Sequence, residues 1–386
     1  MNAVPAYLQT PFHPRLAQAT ETNLWERWGA FTTASVLTEV GEEYTCTRTS
    51  ATLYDTSPLR KYRVQGPDTV RFVDRLLTRD MTTCKVGQVV YACWCDDDGK
   101  LIEDGTVFRL AEDAFQINAQ EPQLRWFQDT ARGLDVGIEE STARLASLAL
   151  QGPLSGEILG RMNLPGVAGL RYFRIVDSVF GNAPLQVSRT GFTGDLGYEL
   201  WVAPEHALAL WDALMAAAAP RRLLPIGSAA LNMTRIEAGF VMVNAEFKAA
   251  NVVLRPSQRR SPFELGLDWT VNLKKDHFVG RRALAAEAAR GGPRRRLVGI
   301  EVEGRKPAVE AFLYDGKREI GLVTSAMWSP VLKKNIALAT VDAEYAAPGA
   351  RFQAEIWYRK EMKVERSLVG CTVVPRPFFD PPRKRA

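Results

Sequence analysis

The sequence predicts an α+β protein of several lobes that ends in a β-barrel-like domain. Three observations lead there. At 386 residues the chain is too long for one comfortable core, so two or three domains are expected. The phrase Gln-Gly-Pro occurs at 65–67 and again at 151–153, each time closing an apolar run and opening a helical pattern. Beyond Gly291-Gly292-Pro293 the pattern changes to short, regularly spaced alternating runs.

The first phrase leads into Val70, Val73, Leu76 and Leu77 on one helical face, the second into Ile158, Leu159 and Met162. A helix is expected to begin at each proline, where the missing N–H costs nothing. The repetition suggests two related α+β units. Between them, residues 87–119 read as strand, turn, strand, loop, strand, with Asp96-Asp97-Asp98-Gly99 as the hairpin turn. Asp104 then falls early in the returning strand. Residues 204–219 form a helix with Leu208, Trp211, Leu214 and Met215 as its buried stripe, and 227–237 form another. In the last domain, strands are expected over 297–302, 319–324, 336–341 and 352–357.

Composition narrows the function. Hydrophobic residues at 46% with 24% charged are ordinary for a globular protein. No cleavable signal pattern is apparent, and the longest apolar stretch, 207–219, is interrupted by Asp212 and too short to span a bilayer, so cytoplasmic placement is expected. Cys93 and Cys95 flank Trp94 and share one face of a strand. The three histidines are scattered, which argues against a metal centre, and five cysteines do not make a disulfide framework. A bound organic cofactor is the natural source of chemistry. The net charge of +5 gathers in 255–260, 294–296 and 383–385, read either as solvated loops or as attraction for an anionic ligand. No aromatic-interleaved basic motif supports nucleic acid as a partner.

Residues 187–201 carry the sharpest functional signal. Gly191, Gly194 and Gly197 crowd a turn between two apolar runs, and Glu199 follows on the next strand. Such a turn lets backbone approach a ligand closely. A carboxylate beyond it can accept two parallel N–H donors from a flat heterocycle, while the bland alternative is a hairpin with an exposed Glu. Together with Asp55-Thr56-Ser57, Val64 to Asp68, Asp98 to Asp104, Asn118-Ala119, Leu150 to Pro153, Arg235 to Gly239, Pro262-Phe263-Glu264 with Leu267 and Trp269, Gly321 to Ser325 and Ser329-Pro330, this segment resembles the glycine-cleavage T-protein (aminomethyltransferase) family. The pieces occur in the family's order along nearly the whole chain.

The resemblance implies a three-domain cloverleaf around a central folate pocket: a discontinuous first α+β domain (1–50 and 145–275), a second (51–144) and a C-terminal β-barrel-like domain (290–386). It implies tetrahydrofolate as cofactor. It matches Asp104 to the second acid of a family Asp-Asp pair, with Glu103 in the first place; on a strand the two point to opposite faces. It implies that Glu199 holds the pterin edge with Tyr198 as stacking neighbour, that Asn118 contacts the ring or else only closes a strand, and that Trp269 is either a cofactor wall or core. Tyr91 and Asp104 are the candidate proton donors, and Arg235 and Glu237 read as scaffold. Trp25, Trp28, Phe31, Tyr91 and Trp94 are either an aromatic pocket or plain core.

The chain also departs from the glycine-cleavage enzymes. Leu231 and Asn232 stand where that enzyme has an Arg-Asp pair, and Val243 stands where it has a tyrosine. The spelling Ala230-Leu231-Asn232 and the N-terminal segment Glu21 to Trp25 with Trp28 are closer to the family's demethylase and dehydrogenase-associated branches. The expected activity is therefore methyl transfer from an O-, N- or S-methyl small molecule to N5 of tetrahydrofolate. The alternatives are an aminomethyltransferase and a non-catalytic folate-binding accessory protein. The related tRNA-modification branch carries a reactive cysteine where 243–247 has none.

Overall fold

The two Gln-Gly-Pro phrases mark the same local event. In the computed structural model, which describes residues 7–385, strands Arg60–Gln65 and Ala146–Gln151 both stop on the glutamine. Gly66 and Gly152 then take φ of +144° and +120°. A Cβ there would lie 2.7 Å from the Asp135 carbonyl oxygen and 2.6 Å from that of Ser50, so only glycine fits. The helices Thr69–Leu76 and Ser155–Arg161 do not begin at the prolines as expected. Pro67 and Pro153 instead sit in a turn closed by Thr69 N–H to Gly66 O and Ser155 N–H to Gly152 O, with proline at the position whose fixed φ suits it.

Each repeat belongs to its own sheet. The first lobe has six strands in the order Ile175–Phe180, Ala183–Ser188, Gly197–Val202, Ala146–Gln151, Ala51–Asp55, Leu223–Pro225, antiparallel except for the last pair. Strand Ala51–Asp55, expected to open the second domain, is hydrogen-bonded inside this sheet; the crossing to the next lobe comes after it. The second lobe has five antiparallel strands in the order Val89–Cys95, Leu101–Ala111, Ala114–Ala119, Arg60–Gln65, Gly137–Glu140. Gly99 closes the expected hairpin at φ +68°, its N–H on Asp96 O. Leu8–Gln9, Phe31–Val36 and Leu24–Trp28 make a small third sheet.

The C-terminal lobe is a closed barrel of six strands: Arg295–Val302, Lys334–Asp342, Arg318–Ser329, Phe312–Asp315, Arg351–Lys360, Lys363–Val374. Two of these escaped the sequence reading. Phe312–Asp315 is four residues long, and Lys363–Val374 starts in a charged run with exposed side chains. Helix Ala207–Ala218 buries Ala207, Leu210, Trp211, Leu214 and Ala218. That stripe is rotated from the expected one, leaving Met215 exposed, because alanines fit closest to the sheet.

Each lobe has its own apolar core, and a fourth cluster joins them: Cys93, Cys95 and Leu101 from the second lobe meet Val243, Phe247, Phe263, Leu265 and Phe278 of the connecting segment, and Leu297 and Leu338 of the barrel. Buried ion pairs rivet the same junction. Glu237 accepts from Arg48 Nη2 at 2.7 Å and from the hydroxyls of Tyr44 and Ser329 at 2.5 Å each. Past the barrel the chain returns to the first lobe. Phe378 and Phe379 give both N–H groups to Glu237 O, and Arg383 grips Asp195 with two bonds of 2.7 and 2.8 Å.

Candidate active site

The polar face of the second sheet builds the site by simple register. Tyr91 pairs with Thr106, Thr106 with Asn118 and Asn118 with Lys61, so four neighbouring strands present one transverse row. At the usual strand spacing this row is roughly 14 Å long. Asp104 lies two residues before Thr106, hence on the same face. Its Oδ2 accepts the Tyr91 hydroxyl at 2.6 Å. Tyr91 stacks on Trp269 with centroids 5.7 Å apart and planes 20° apart. Tyr91, Asp104 and Thr106 keep some exposed surface and Trp269 is 61% exposed, so this end of the row opens to solvent.

Electrostatics distinguish the two adjacent acids. Crowding by protein raises the Asp104 pKa to about 6, against the lowering effect of the Tyr91 hydrogen bond, with Glu246 adding a further upward push. Glu103 faces the other way, as its place on the strand requires. It accepts the Gln120 and Glu121 N–H groups and the Gln123 amide, and burial pushes it up. Glu103 is thus tied up in holding a loop, and Asp104 is the acid at the opening. Burial also drives the Tyr91 hydroxyl well above the ordinary tyrosine range.

At the far end of the row, Lys61 is fully buried and donates to Ser57 O at 2.7 Å. Burial lowers its pKa to about 7, while Asp55 and Glu199 pull it back up. Lys61 Nζ lies 5.8 Å from the Trp201 ring centre, and Glu199 sits on the same strand and face as Trp201 in the first-lobe sheet. Glu199 Oε2 accepts from Thr190 Oγ1 at 2.5 Å and from Ser188 Oγ at 3.5 Å. Its Oε1 has no protein partner among the described residues. One oxygen anchored and one left over suits a ligand with an N–H edge, such as a pterin.

Other expected site residues stand elsewhere. Tyr198 points away from Glu199, its ring against helix Ser155–Arg161, where a Cβ on Gly156 would meet its hydroxyl at 3.3 Å. Consecutive strand residues cannot share a face, so it is no stacking neighbour. Asn118 is in the row, but its amide is committed: Nδ2 to Thr106 Oγ1 at 3.1 Å, Oδ1 from Gln116 Nε2 at 2.9 Å. Of the aromatic set, only Tyr91 reaches the site. Trp94 is core against Phe127, Trp25 packs on His13 and Trp28 on Tyr54. Of the basic clusters, Arg259 meets Asp96 and Asp98, Arg296 meets Asp268, and Arg383 meets Asp195.

Sequence reasoning missed Lys61 and Glu246. Lys61 alternates with Tyr62 and Val64, so its face was legible, but not the sheet that covers it. Glu246 accepts from Arg235 Nη1 at 2.6 Å and from Ser325 Oγ at 2.5 Å, linking the first lobe to the barrel beside Asp104. Arg235 and Glu237 are scaffold, each in a buried ion pair.

A three-lobed α+β frame with a carboxylate-lined recess where the lobes meet is the architecture of folate-linked one-carbon transferases. Residues 12–275 match the GCVT N-terminal domain and 295–380 the glycine cleavage T-protein C-terminal barrel domain: this chain belongs to the glycine cleavage T-protein family. It is 36% identical over 98% of its length to a trimethylamine-oxide aldolase of Ruegeria pomeroyi, but spans only 48% of that relative. It is 36% identical to an aminomethyltransferase of Streptomyces coelicolor, covering 80% of this chain and 82% of the relative. The fold matches the aminomethyltransferase T of Bartonella henselae with a TM-score of 0.84 at 24% identity, covering 97% of this chain and 99% of the other.

Proposed function

We propose that this chain moves a methyl group from an O-, N- or S-methyl small molecule to N5 of tetrahydrofolate. The observation that carries the reading is the pair Tyr91–Asp104 at the open end of the polar row, with the half-free carboxylate of Glu199 beyond its closed end. When bound, tetrahydrofolate supplies the nitrogen that accepts the methyl group. Glu199 Oε1 takes the N–H edge of the ring system, its Oε2 locked by Thr190 and Ser188 so that the carboxylate does not turn. Asp104, with a pKa of about 6, changes protonation state near neutrality and so both accepts and returns a proton at small driving force. Its ionised form stabilises positive charge at the reacting centre.

Two classes of donor make different demands. A sulfonium or quaternary ammonium leaves as a neutral molecule and needs only alignment. An ether leaves as an oxyanion and needs the Asp104–Tyr91 pair for its proton. Proximity serves both, at roughly 7–11 kcal/mol of barrier. The substituted positions favour methyl over aminomethyl transfer. Asn232 accepts from Arg235 Nε at 2.8 Å and Val243 is core, so neither offers the charged or phenolic contact of the aminomethyltransferases.

The test is incubation with tetrahydrofolate and a panel of methylamine, methoxyaryl and sulfonium donors, reading 5-methyl-tetrahydrofolate. The name of the Ruegeria relative puts N-methyl compounds, trimethylamine oxide among them, first in that panel. Ammonia release from an aminomethylated lipoyl carrier would replace this reading with the aminomethyltransferase one. Tight folate binding with no product from any donor would leave a binding protein.

A further inference from the structure

The methyl-transfer reading leaves Arg79 unused. Its guanidinium lies over the Trp269 ring, 5.4 Å from the centroid, and Trp269 in turn stacks on Tyr91, which holds Asp104. Among the described residues this guanidinium has no carboxylate partner. The acidic side chains of its own loop are used otherwise: Asp74 Oδ1 takes Met81 N–H and Lys275, and Asp80 Oδ1 takes Thr82 N–H and its hydroxyl. Its charge still reaches inward, favouring the thiolate of Cys93 on the Tyr91 strand.

The loop that carries Arg79 is fixed in advance. Lys275, 7% exposed, donates its ammonium to the carbonyls of Asp74, Leu77 and Arg79 itself, at 2.5, 2.9 and 2.7 Å. Thr78 N–H bonds Cys93 O, Thr78 Oγ1 bonds Thr270 O, and Asn272 N–H bonds Thr78 O. The Arg79 loop is therefore stitched both to the Tyr91 strand and to the segment bearing Trp269. A buried cation used to hold a loop whose next side chain is an unpaired guanidinium makes a preorganised anion site, since less freedom is lost on binding.

Resting on the methyl-transfer reading, we propose that Arg79 anchors a carboxylate on the methyl donor, so that the substrates of this site are methylated organic acids. A planar guanidinium forms two parallel hydrogen bonds with a carboxylate, fixing orientation as well as position. The stack from Arg79 through Trp269 to Tyr91 sets the reach. Acid group and transferable methyl stand at opposite ends of a molecule about one aromatic ring long, with the methyl-bearing atom beside the Tyr91–Asp104 pair.

The experiment compares donors that differ only in the acid group: vanillate against guaiacol, and glycine betaine against tetramethylammonium. In each, calorimetric binding to the full chain is measured with and without tetrahydrofolate, beside turnover. The expected result is that at least one acid outperforms its neutral or cationic counterpart in kcat/KM. Arg79→Gln should lower that acid's kcat/KM by about 30–100-fold, the worth of a charge-assisted bidentate contact, mainly through KM, and Arg79→Lys should keep part of it.

Calorimetry separates the two readings. Acid binding to the natural chain that Arg79→Gln abolishes supports the anchor even if no methyl is transferred. The proposal is overturned if no acid binds the natural chain, if Arg79→Gln leaves the acid preference unchanged, or if trimethylamine oxide turns over while both acids fail. It is overturned too if Arg79→Gln weakens tetrahydrofolate but not tetrahydropteroate, because the carboxylate held there then belongs to the folate's glutamate.

Discussion

Replacing Asp104 with asparagine should separate stability from activity, and the structure gives the size of each effect. Crowding raises the folded-state pKa of Asp104 from 3.8 to about 6. The folded chain then holds a proton that the unfolded chain releases, so this position favours folding fully below about pH 4 and loses that contribution as pH rises through about 6. At about 1.4 kcal/mol per pH unit, the gap is worth about 3 kcal/mol for an enclosed group, reduced to about 2 kcal/mol by the surface Asp104 keeps. Asparagine keeps an acceptor for Tyr91 but not a charge-assisted one, which returns about 1 kcal/mol to the other side. Asp104→Asn should therefore be about 1 kcal/mol more stable than the natural chain at pH 7.5 and equal or weaker at pH 4. Urea denaturation across that range reads both. Methyl transfer should fall by about 100–1000-fold with a much smaller change in tetrahydrofolate affinity. A variant that is less stable at pH 7.5, or that retains turnover, would remove Asp104 from the chemistry.

Further outcomes follow from packing and pairing. Arg235→Ala strands the buried carboxylate of Glu246 and should cost about 3–5 kcal/mol in denaturant titration, whereas the volume-matched double change Arg235→Met with Glu246→Leu should recover much of the loss. Gly152→Ala forces a Cβ to 2.6 Å from the Ser50 carbonyl oxygen at φ +120° and should destabilise by about 1–3 kcal/mol, beyond the few tenths an exposed site shows. Arg383→Gln releases Asp195 in the glycine-rich turn; weaker tetrahydrofolate binding with little change in kcat is expected, and unchanged affinity would mean that Arg48 alone holds the turn.

Much of this was legible because it is local. The Gln-Gly-Pro phrases, the Asp-rich hairpin and four barrel strands each rest on a backbone requirement or a two-residue period visible in one window. The faces were legible in principle as well: alternation alone separates Glu103 from Asp104, and the same rule excludes Tyr198 from the side of Glu199. What stayed hidden depends on partners distant in sequence. Whether Lys61 meets solvent or a second sheet, and whether Trp94 or Tyr91 lines a recess, is decided by how lobes dock. Strand Lys363–Val374 was hidden for another reason. It carries charges where a pattern reader looks for apolar residues, because much of its outer face meets water.

The long return of the chain from barrel to first lobe also bears on when the protein becomes complete. Asp195 is 5% exposed, yet its two-pronged partner Arg383 is made 188 residues later. Until then the turn leading to Glu199 holds a sunken charge countered only by Arg48, at 3.5 Å. A nascent chain with both sheets formed has every reason to keep that turn open. The last step of assembly is thus the shutting of a clasp: the ligand grip sets only when the barrel is finished and its tail has swung home.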